Sequence, residues 1–167
     1  VTTGLGYATL GDGQRALEWL SLHPRIDPER IGLFGISLGG MVGSVIYSQD
    51  RIPKHAVFAL AGADFPGLAQ NSSMTRKFMS SSGIKPQELR SAWKVIDPLD
   101  YIVANKDKDV LLINARSDDV VPKENSLKLK EAFPAGRQEL ISLGHYSAML
   151  HLIWLPRRVA REFREKL

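Results

Sequence analysis

The sequence predicts an α/β protein: a parallel sheet of about four strands with helices on its flanks. Two observations predict it. Apolar runs at 31–36, 54–61, 110–115 and 138–143 are separated by stretches with helical spacing of apolar residues. Strands that alternate with helices imply a parallel sheet with right-handed crossovers. The first run also leads into Gly35-Ile36-Ser37-Leu38-Gly39, after which Met41, Val42, Val45 and Ile46 follow at helical spacing. A strand, a tight turn and a helix in that order would lift the turn's serine clear of the sheet.

Each element follows from local chemistry. Residues 1–11 contain Gly4, Gly6 and Gly11 and read as irregular. Asp12 reads as the N-cap of a helix through Leu22, with Ala16, Leu17 and Leu20 as its apolar stripe. Asp27-Pro28-Glu29-Arg30 reads as one capped turn with proline at the first helical position. A strand then runs from Ile31 to Ile36 and a helix from Leu38 to Gln49. The run from Lys54 to Ala61 lacks polar alternation, which predicts a strand buried on both faces; Val110–Ala115 is its equal. Pro122–Phe133 reads as a helix carrying Leu127 and Leu129, and Gln138–Leu143 as the last strand. Beyond it lie Ser147–Leu155 and a final helix, with Pro156 either kinking one long helix or separating two.

The connection from Gly62 to Lys108 is longer than a crossover helix requires. Helical pieces are expected near 73–80 and 86–95. Its Met74, Phe78, Met79, Trp93 and Tyr101 would pack against the sheet, or serve as a lid or pocket wall over 63–108. No composition shift divides the chain, so 1–167 reads as a single domain.

Composition narrows the function classes. Hydrophobic residues make up 44% and charged residues 24%, an ordinary globular balance. The absence of cysteine excludes disulfides, zinc–thiolate sites and a cysteine nucleophile. Nothing in the sequence calls for a metal or other cofactor. No apolar run is long enough to span a bilayer and no signal peptide is visible, so the expected compartment is cytoplasmic. The net charge of +4 gathers near Arg157, Arg158, Arg161, Arg164 and Lys166, where Glu162 and Glu165 interleave with the cations. That pattern reads as the solvated face of a last helix rather than a nucleic-acid surface. The chain begins with Val1, which suggests a processed or partial form.

In parallel sheets chemistry gathers at the carboxyl ends of the strands. The polar groups that follow the four strands are Ser37, then Asp64, then Asp118 and Asp119, then His145. A serine hydroxyl needs a base to become a nucleophile, histidine can take and return that proton, and a carboxylate orients the imidazole. Gly144 leaves His145 room to reach across the sheet. His23 and His55 precede strands, on the wrong edge, and His151 lies in an apolar helical segment. Asp118 and Asp119 are adjacent and should point different ways, and Asp64 could also reach the histidine. Gly35 and Gly39 would relieve the collision of side chains around the serine turn. Leu38 would offer its backbone N–H to a developing oxyanion at the helix N-terminus.

These residues resemble the α/β-hydrolase superfamily, most closely its dienelactone-hydrolase-like and carboxylesterase branch. Arg30-Ile31-Gly32-Leu33-Phe34-Gly35-Ile36-Ser37-Leu38-Gly39-Gly40 is similar to that branch's nucleophile elbow. Ser117-Asp118-Asp119-Val120-Val121-Pro122 resembles its acid loop, whose acid stands four before the proline, which selects Asp118. Gly144-His145-Tyr146-Ser147 resembles its histidine loop, and Asp97-Pro98-Leu99-Asp100-Tyr101 the segment entering the acid-bearing strand. The resemblance runs from Asp12 to the C-terminus. It implies a serine hydrolase of small-molecule carboxylic esters, with Ser37, Asp118 and His145 as triad and Leu38 as oxyanion donor; Ile36 and, from the long connection read as a pocket wall, Met74, Phe78 and Trp93 are the candidate substrate-binding residues. It also implies strands and a second oxyanion loop upstream of Asp12, so the expectation is a truncated α/β-hydrolase fold whose first strand is open to another chain, such as a second copy in a homo-oligomer. Two other readings stand beside the esterase. One is a prolyl-oligopeptidase-like serine peptidase, although no acidic pair is placed to hold a substrate amino terminus. The other is a catalytically impaired fragment acting as a binding or assembly unit.

Overall fold

A computed structural model describes residues 2–150 and 154–167. Four strands form one sheet: β1 (Gly32–Ile36), β2 (His55–Ala59), β3 (Val110–Ala115) and β4 (Arg137–Ile141). The order is β1-β2-β3-β4 and every pairing is parallel. Ile36 lies opposite Ala59, Ala59 opposite Ile113, and Ala115 opposite Ile141, so the strands end along one common edge. Every residue of β2 and β3 is buried, as their continuous apolar runs require. The outer strands β1 and β4 are mostly half-buried.

Side chains alternate between two packed layers. Phe58 and Leu112 face the first, where Met41 and Tyr47 of α2 (Leu38–Gln49) meet Leu129 and Phe133 at α6 (Lys123–Ala132). Val57, Leu111 and Ile113 face the second, against Leu155 and Val159 of α8 (Trp154–Lys166). Leu129 is fully buried, whereas Leu127 is exposed, because two positions apart they cannot share one helix face.

The N-terminal segment corrects the sequence reading. Residues 2–11 are helical, not irregular: α1 runs from Thr2 to Leu22, and Asp12 sits inside it, solvent-facing and paired with Arg15. Glycine costs a helix interior up to about 1 kcal/mol, but tertiary packing overrides so weak a preference. Leu10 and Leu17 are buried against Val45 and Ile46 of α2. Gly13 lies between them, and a Cβ there would stand 2.4 Å from Ile46 Cδ1. Gly13 therefore serves close helix approach rather than chain breaking.

The turn at 28–30 forms as expected, with Asp27 accepting the Glu29 N–H at 2.9 Å. The long connection holds α3 (Phe65–Asn71), α4 (Arg76–Ser82) and α5 (Pro86–Trp93), then 3₁₀ turns at 94–96 and 98–105. Two of these helices match the expected pieces; α3 was not expected. Its N-cap is Asp64, whose side chain accepts the Gly67 N–H from a left-handed backbone at φ 64°. The fully buried Asp97 carboxylate fastens this connection to the end of β2. It accepts from the backbone N–H of Asp64, Phe65 and Leu99, and from Arg90.

After β4, α7 begins at His145 and runs to Leu150. Pro156 falls in the first turn of α8, where a missing N–H leaves no helical bond unmade. His151 lies outside the described residues. Among those residues, no helix is long and apolar enough to cross a membrane.

At the edge where the strands begin, α8 is tied down by charge. Glu162 is 1% exposed and accepts from His55 Nε2 at 3.0 Å, from Arg158 at 3.1 Å and from Arg137. His55 is equally buried, its other ring nitrogen 3.7 Å from Asp109. Burial in this layer pushes the His55 pKa down, outweighing the opposite pull of Asp109 and Glu162.

Candidate active site

β1 ends one residue before Ser37, whose N–H donates to the Ala59 carbonyl at 2.8 Å and so continues the sheet's bonding. The chain then reverses. Ser37 has φ 52° and ψ −122°, outside the helix that begins at Leu38. A non-glycine residue held at positive φ costs about 1–3 kcal/mol and persists only where its surroundings enforce it. Gly40 and Met41 donate their N–H groups to the Ser37 carbonyl, so α2 enforces it from one side. Leu60, directly after β2, and Asp64 share the positive φ, which places the three such non-glycine residues found among the described residues after the carboxyl ends of β1 and β2.

The glycine requirement differs in detail from the sequence reading. A Cβ on Gly35 would lie 2.4 Å from the Gly39 carbonyl oxygen, a backbone collision that cannot be relieved locally. A Cβ on Gly39 would meet nothing within 4 Å. The second steric demand falls instead on Gly40, whose Cβ would stand 2.8 Å from that of Ala61. Relief of the turn therefore comes from positions 35 and 40, because α2 turns Gly39 outward and Gly40 onto β2.

Ser37, His145 and Asp118 come together. Ser37 Oγ is 3.2 Å from His145 Nε2, and His145 Nδ1 is 2.8 Å from Asp118 Oδ2. The carboxylate can only accept, so it assigns the ring proton to Nδ1 and leaves Nε2 to accept from the serine hydroxyl. Asp118 is fixed in turn: its Oδ1 accepts the N–H groups of Val120 and Val121 at 3.0 and 2.7 Å. Both His145 and Asp118 are buried. The acid and histidine loops are stitched by the Ser117 N–H, which donates to the Leu143 carbonyl at 3.1 Å. A Cβ on Gly144 would press to 3.2 Å from the Ser117 carbonyl, so glycine there permits that approach.

The other acids are committed elsewhere. Asp64 caps α3 and pairs with Lys128. Asp119 is exposed, and its backbone carbonyl accepts the Ser73 N–H at 2.7 Å. Among the histidines, His55 binds Glu162 at the opposite edge and His23 packs against Trp19. Leu38 opens α2, where the first N–H groups have no partner within the helix. Ile36 is half-buried between the apolar layer under α8 and the cluster around Ala148. Trp93 packs edge-on against Phe65 at 6.0 Å, joined to the main core. Met74 and Phe78 are largely exposed. Tyr146, which sequence reasoning did not single out, stands edge-on to the His145 ring at 5.7 Å and is largely exposed. Its position directly after the histidine was the available signal. Among the described residues, no group of three His, Cys, Asp or Glu side chains is arranged to hold a metal ion.

The model of the prolyl oligopeptidase family matches residues 1–167. The α/β hydrolase domain-containing protein WAV2 of Arabidopsis thaliana is 30% identical over 159 residues, covering 86% of this chain and 48% of that protein. The acylaminoacyl peptidase of Pyrococcus horikoshii superposes with a TM-score of 0.64 at 25% identity, over 77% of this chain and 22% of that one. An esterase of Pyrococcus furiosus superposes with a TM-score of 0.67 at 19% identity, over 93% of this chain and 61% of that one; this likeness concerns the fold alone. The chain thus spans about half the length of the curated relative and about a fifth of the peptidase.

Proposed function

The chain belongs to the prolyl oligopeptidase family of α/β hydrolases, and on that premise we propose that it cleaves carboxylic esters through an acyl-enzyme on Ser37. The observation that carries this reading is the continuous relay from Ser37 Oγ through the His145 ring to Asp118, at 3.2 and 2.8 Å. In the first step Ser37 Oγ attacks the ester carbonyl carbon and its proton passes to His145 Nε2. The carbonyl oxygen gains charge and meets the Leu38 N–H at the start of α2, where the helix dipole favours an anion. Asp118 stabilises the imidazolium without taking its proton. His145 then gives that proton to the departing alkoxide as the carbonyl–oxygen bond breaks. Water, deprotonated by the same nitrogen, releases the acid and restores Ser37.

Cleavage of an amide bond is the second reading, favoured by the family match and by the likeness to an acylaminoacyl peptidase. Both use the same serine and differ in the leaving group, so they are separated by parallel assay of a p-nitrophenyl ester and an acyl-amino-acid p-nitroanilide. Labelling by a fluorophosphonate probe reports on the serine itself. The expected result is ester turnover and probe labelling that both disappear in Ser37→Ala. Unlabelled Ser37 in the folded wild type would overturn this reading and leave a binding or assembly unit.

A further inference from the structure

We infer that the segment 74–85, which includes α4, docks onto an anionic lipid surface. Met74 and Phe78 are 67% and 65% exposed, and Ile84 is 38% exposed. Arg76, Lys77 and Lys85 stand exposed among them. None of these three cations is in an ion pair among the described residues. From Gln70 to Pro86 the chain has no acidic residue. The nearest in sequence, Glu88, turns its carboxylate to the Lys85 backbone N–H at 3.0 Å.

The combination selects the partner. Large apolar side chains held in water invite an apolar partner, and three unpaired cations interspersed with them in the segment favour one that is negatively charged. An anionic bilayer meets both demands at once, with headgroups for the cations and an acyl boundary for Phe78 and Met74. A cleft of about 230 Å³ between α3 and α4 adds a seat for a headgroup, with Arg76 at its wall and Met79 and Ile84 in its lining. The element is joined to the candidate active site: Ser73 donates to the carbonyl of Asp119, next to Asp118. Docking through 74–85 would therefore hold that edge of the sheet against the lipid surface.

Co-sedimentation with vesicles tests this without any activity readout. The probes are phosphatidylcholine vesicles, alone and with about 30% phosphatidylserine. The expected result is about a hundredfold stronger partition onto the anionic vesicles, since each of the three cations near such a surface is worth roughly fivefold. Arg76→Gln with Lys77→Gln should lose about tenfold or more. Met74→Ser with Phe78→Ser, which leaves charge untouched, should lose about fivefold. Arg161→Gln with Arg164→Gln removes equal charge from α8 and should change partition less than about twofold. Equal partition onto both vesicles overturns the inference. So does an equal loss in the α8 pair, which would reduce the effect to general basicity, or undiminished binding by the apolar pair. A dimer in sedimentation velocity that Phe78→Ser dissolves would assign the patch to a second copy and overturn it too. Ser37→Ala should bind as the wild type does, so the outcome stands apart from the hydrolase reading.

Discussion

Two buried histidine–carboxylate pairs lie at opposite edges of the same sheet. His145 meets Asp118 at 2.8 Å where the strands end, and His55 meets Glu162 at 3.0 Å where they begin. By composition, distance and burial they are nearly the same object. They differ in what occupies the second ring nitrogen and the rest of the carboxylate. His145 turns its free nitrogen to a serine hydroxyl on a strained turn, and Asp118 is otherwise held by two backbone N–H groups. His55 has a second carboxylate, Asp109, beyond its other nitrogen, and Glu162 is shared with Arg137 and Arg158. The first arrangement aims one ring lone pair at a hydroxyl whose proton it can take, whereas the second surrounds its histidine with carboxylates and arginines as a helix anchor. A histidine–acid contact alone therefore says little about chemistry; its unspent partner decides.

The largest test of this contrast is loss of the free nitrogen or the hydroxyl. His145→Ala and Ser37→Ala should each lower ester turnover by about a thousandfold or more, measured on a p-nitrophenyl ester, while melting temperature changes little. His55→Gln should leave turnover within about twofold. Comparable losses from both histidines would erase the distinction.

The carboxylates should dissociate in the opposite sense. Asp118→Asn should cost on the order of a hundredfold or more in turnover, because the amide favours the wrong imidazole tautomer. Glu162→Gln should cost about 1–3 kcal/mol in urea unfolding, since it removes the charge that Arg137 and Arg158 share at α8. Turnover per folded molecule should survive Glu162→Gln. A stable Glu162→Gln protein would show that the α8 anchor is packing and not charge.

The site edge should be set by sterics where the other is set by charge. Gly40→Ala forces two Cβ atoms toward 2.8 Å and should destabilise by about 1–3 kcal/mol. Gly39→Ala, with open space around it, should gain or lose less than about 1 kcal/mol. Thermal melts of the two variants decide between the observed geometry and a symmetric requirement at 35 and 39.

The smallest effect is in pH. Burial lowers the His55 pKa in the folded chain below its ordinary 6.5, so the unfolded chain takes up the proton first. The stability contributed is fully present above about 6.5 and is lost as pH falls below it toward the folded pKa. Melting temperature should decline between pH 7 and 5, and His55→Gln should flatten that part of the slope. An unchanged slope would mean that His55 does not titrate on unfolding.

Legibility in the sequence followed the range of the forces involved. The helix at 38–49 and the strand at 110–115 match their expected bounds, because periodicity and continuous burial are written locally. The first turns of α1 were unreadable for the converse reason. Their glycines argue against a helix locally, while the burial of Leu10 and Leu17 against α2 is a contact with distant residues. Helix α3 was hidden because its N-cap, Asp64, adopts a left-handed backbone that nothing in its own sequence requires.

The sequence alone determined which chemistry-bearing side chains stand at the ends of four strands, since strand ends follow from hydrophobic patterning. Read from its residues, it left three acids open beside His145. Only the tertiary structure distributes them: Lys128 and Gly67 occupy Asp64, the backbone of Asp119 goes to Ser73 and its side chain to solvent, and Asp118 is left facing His145. The reason is geometric. Which of several carboxylates meets an imidazole depends on strand order, register and the direction of each loop, and those are properties of the packed sheet.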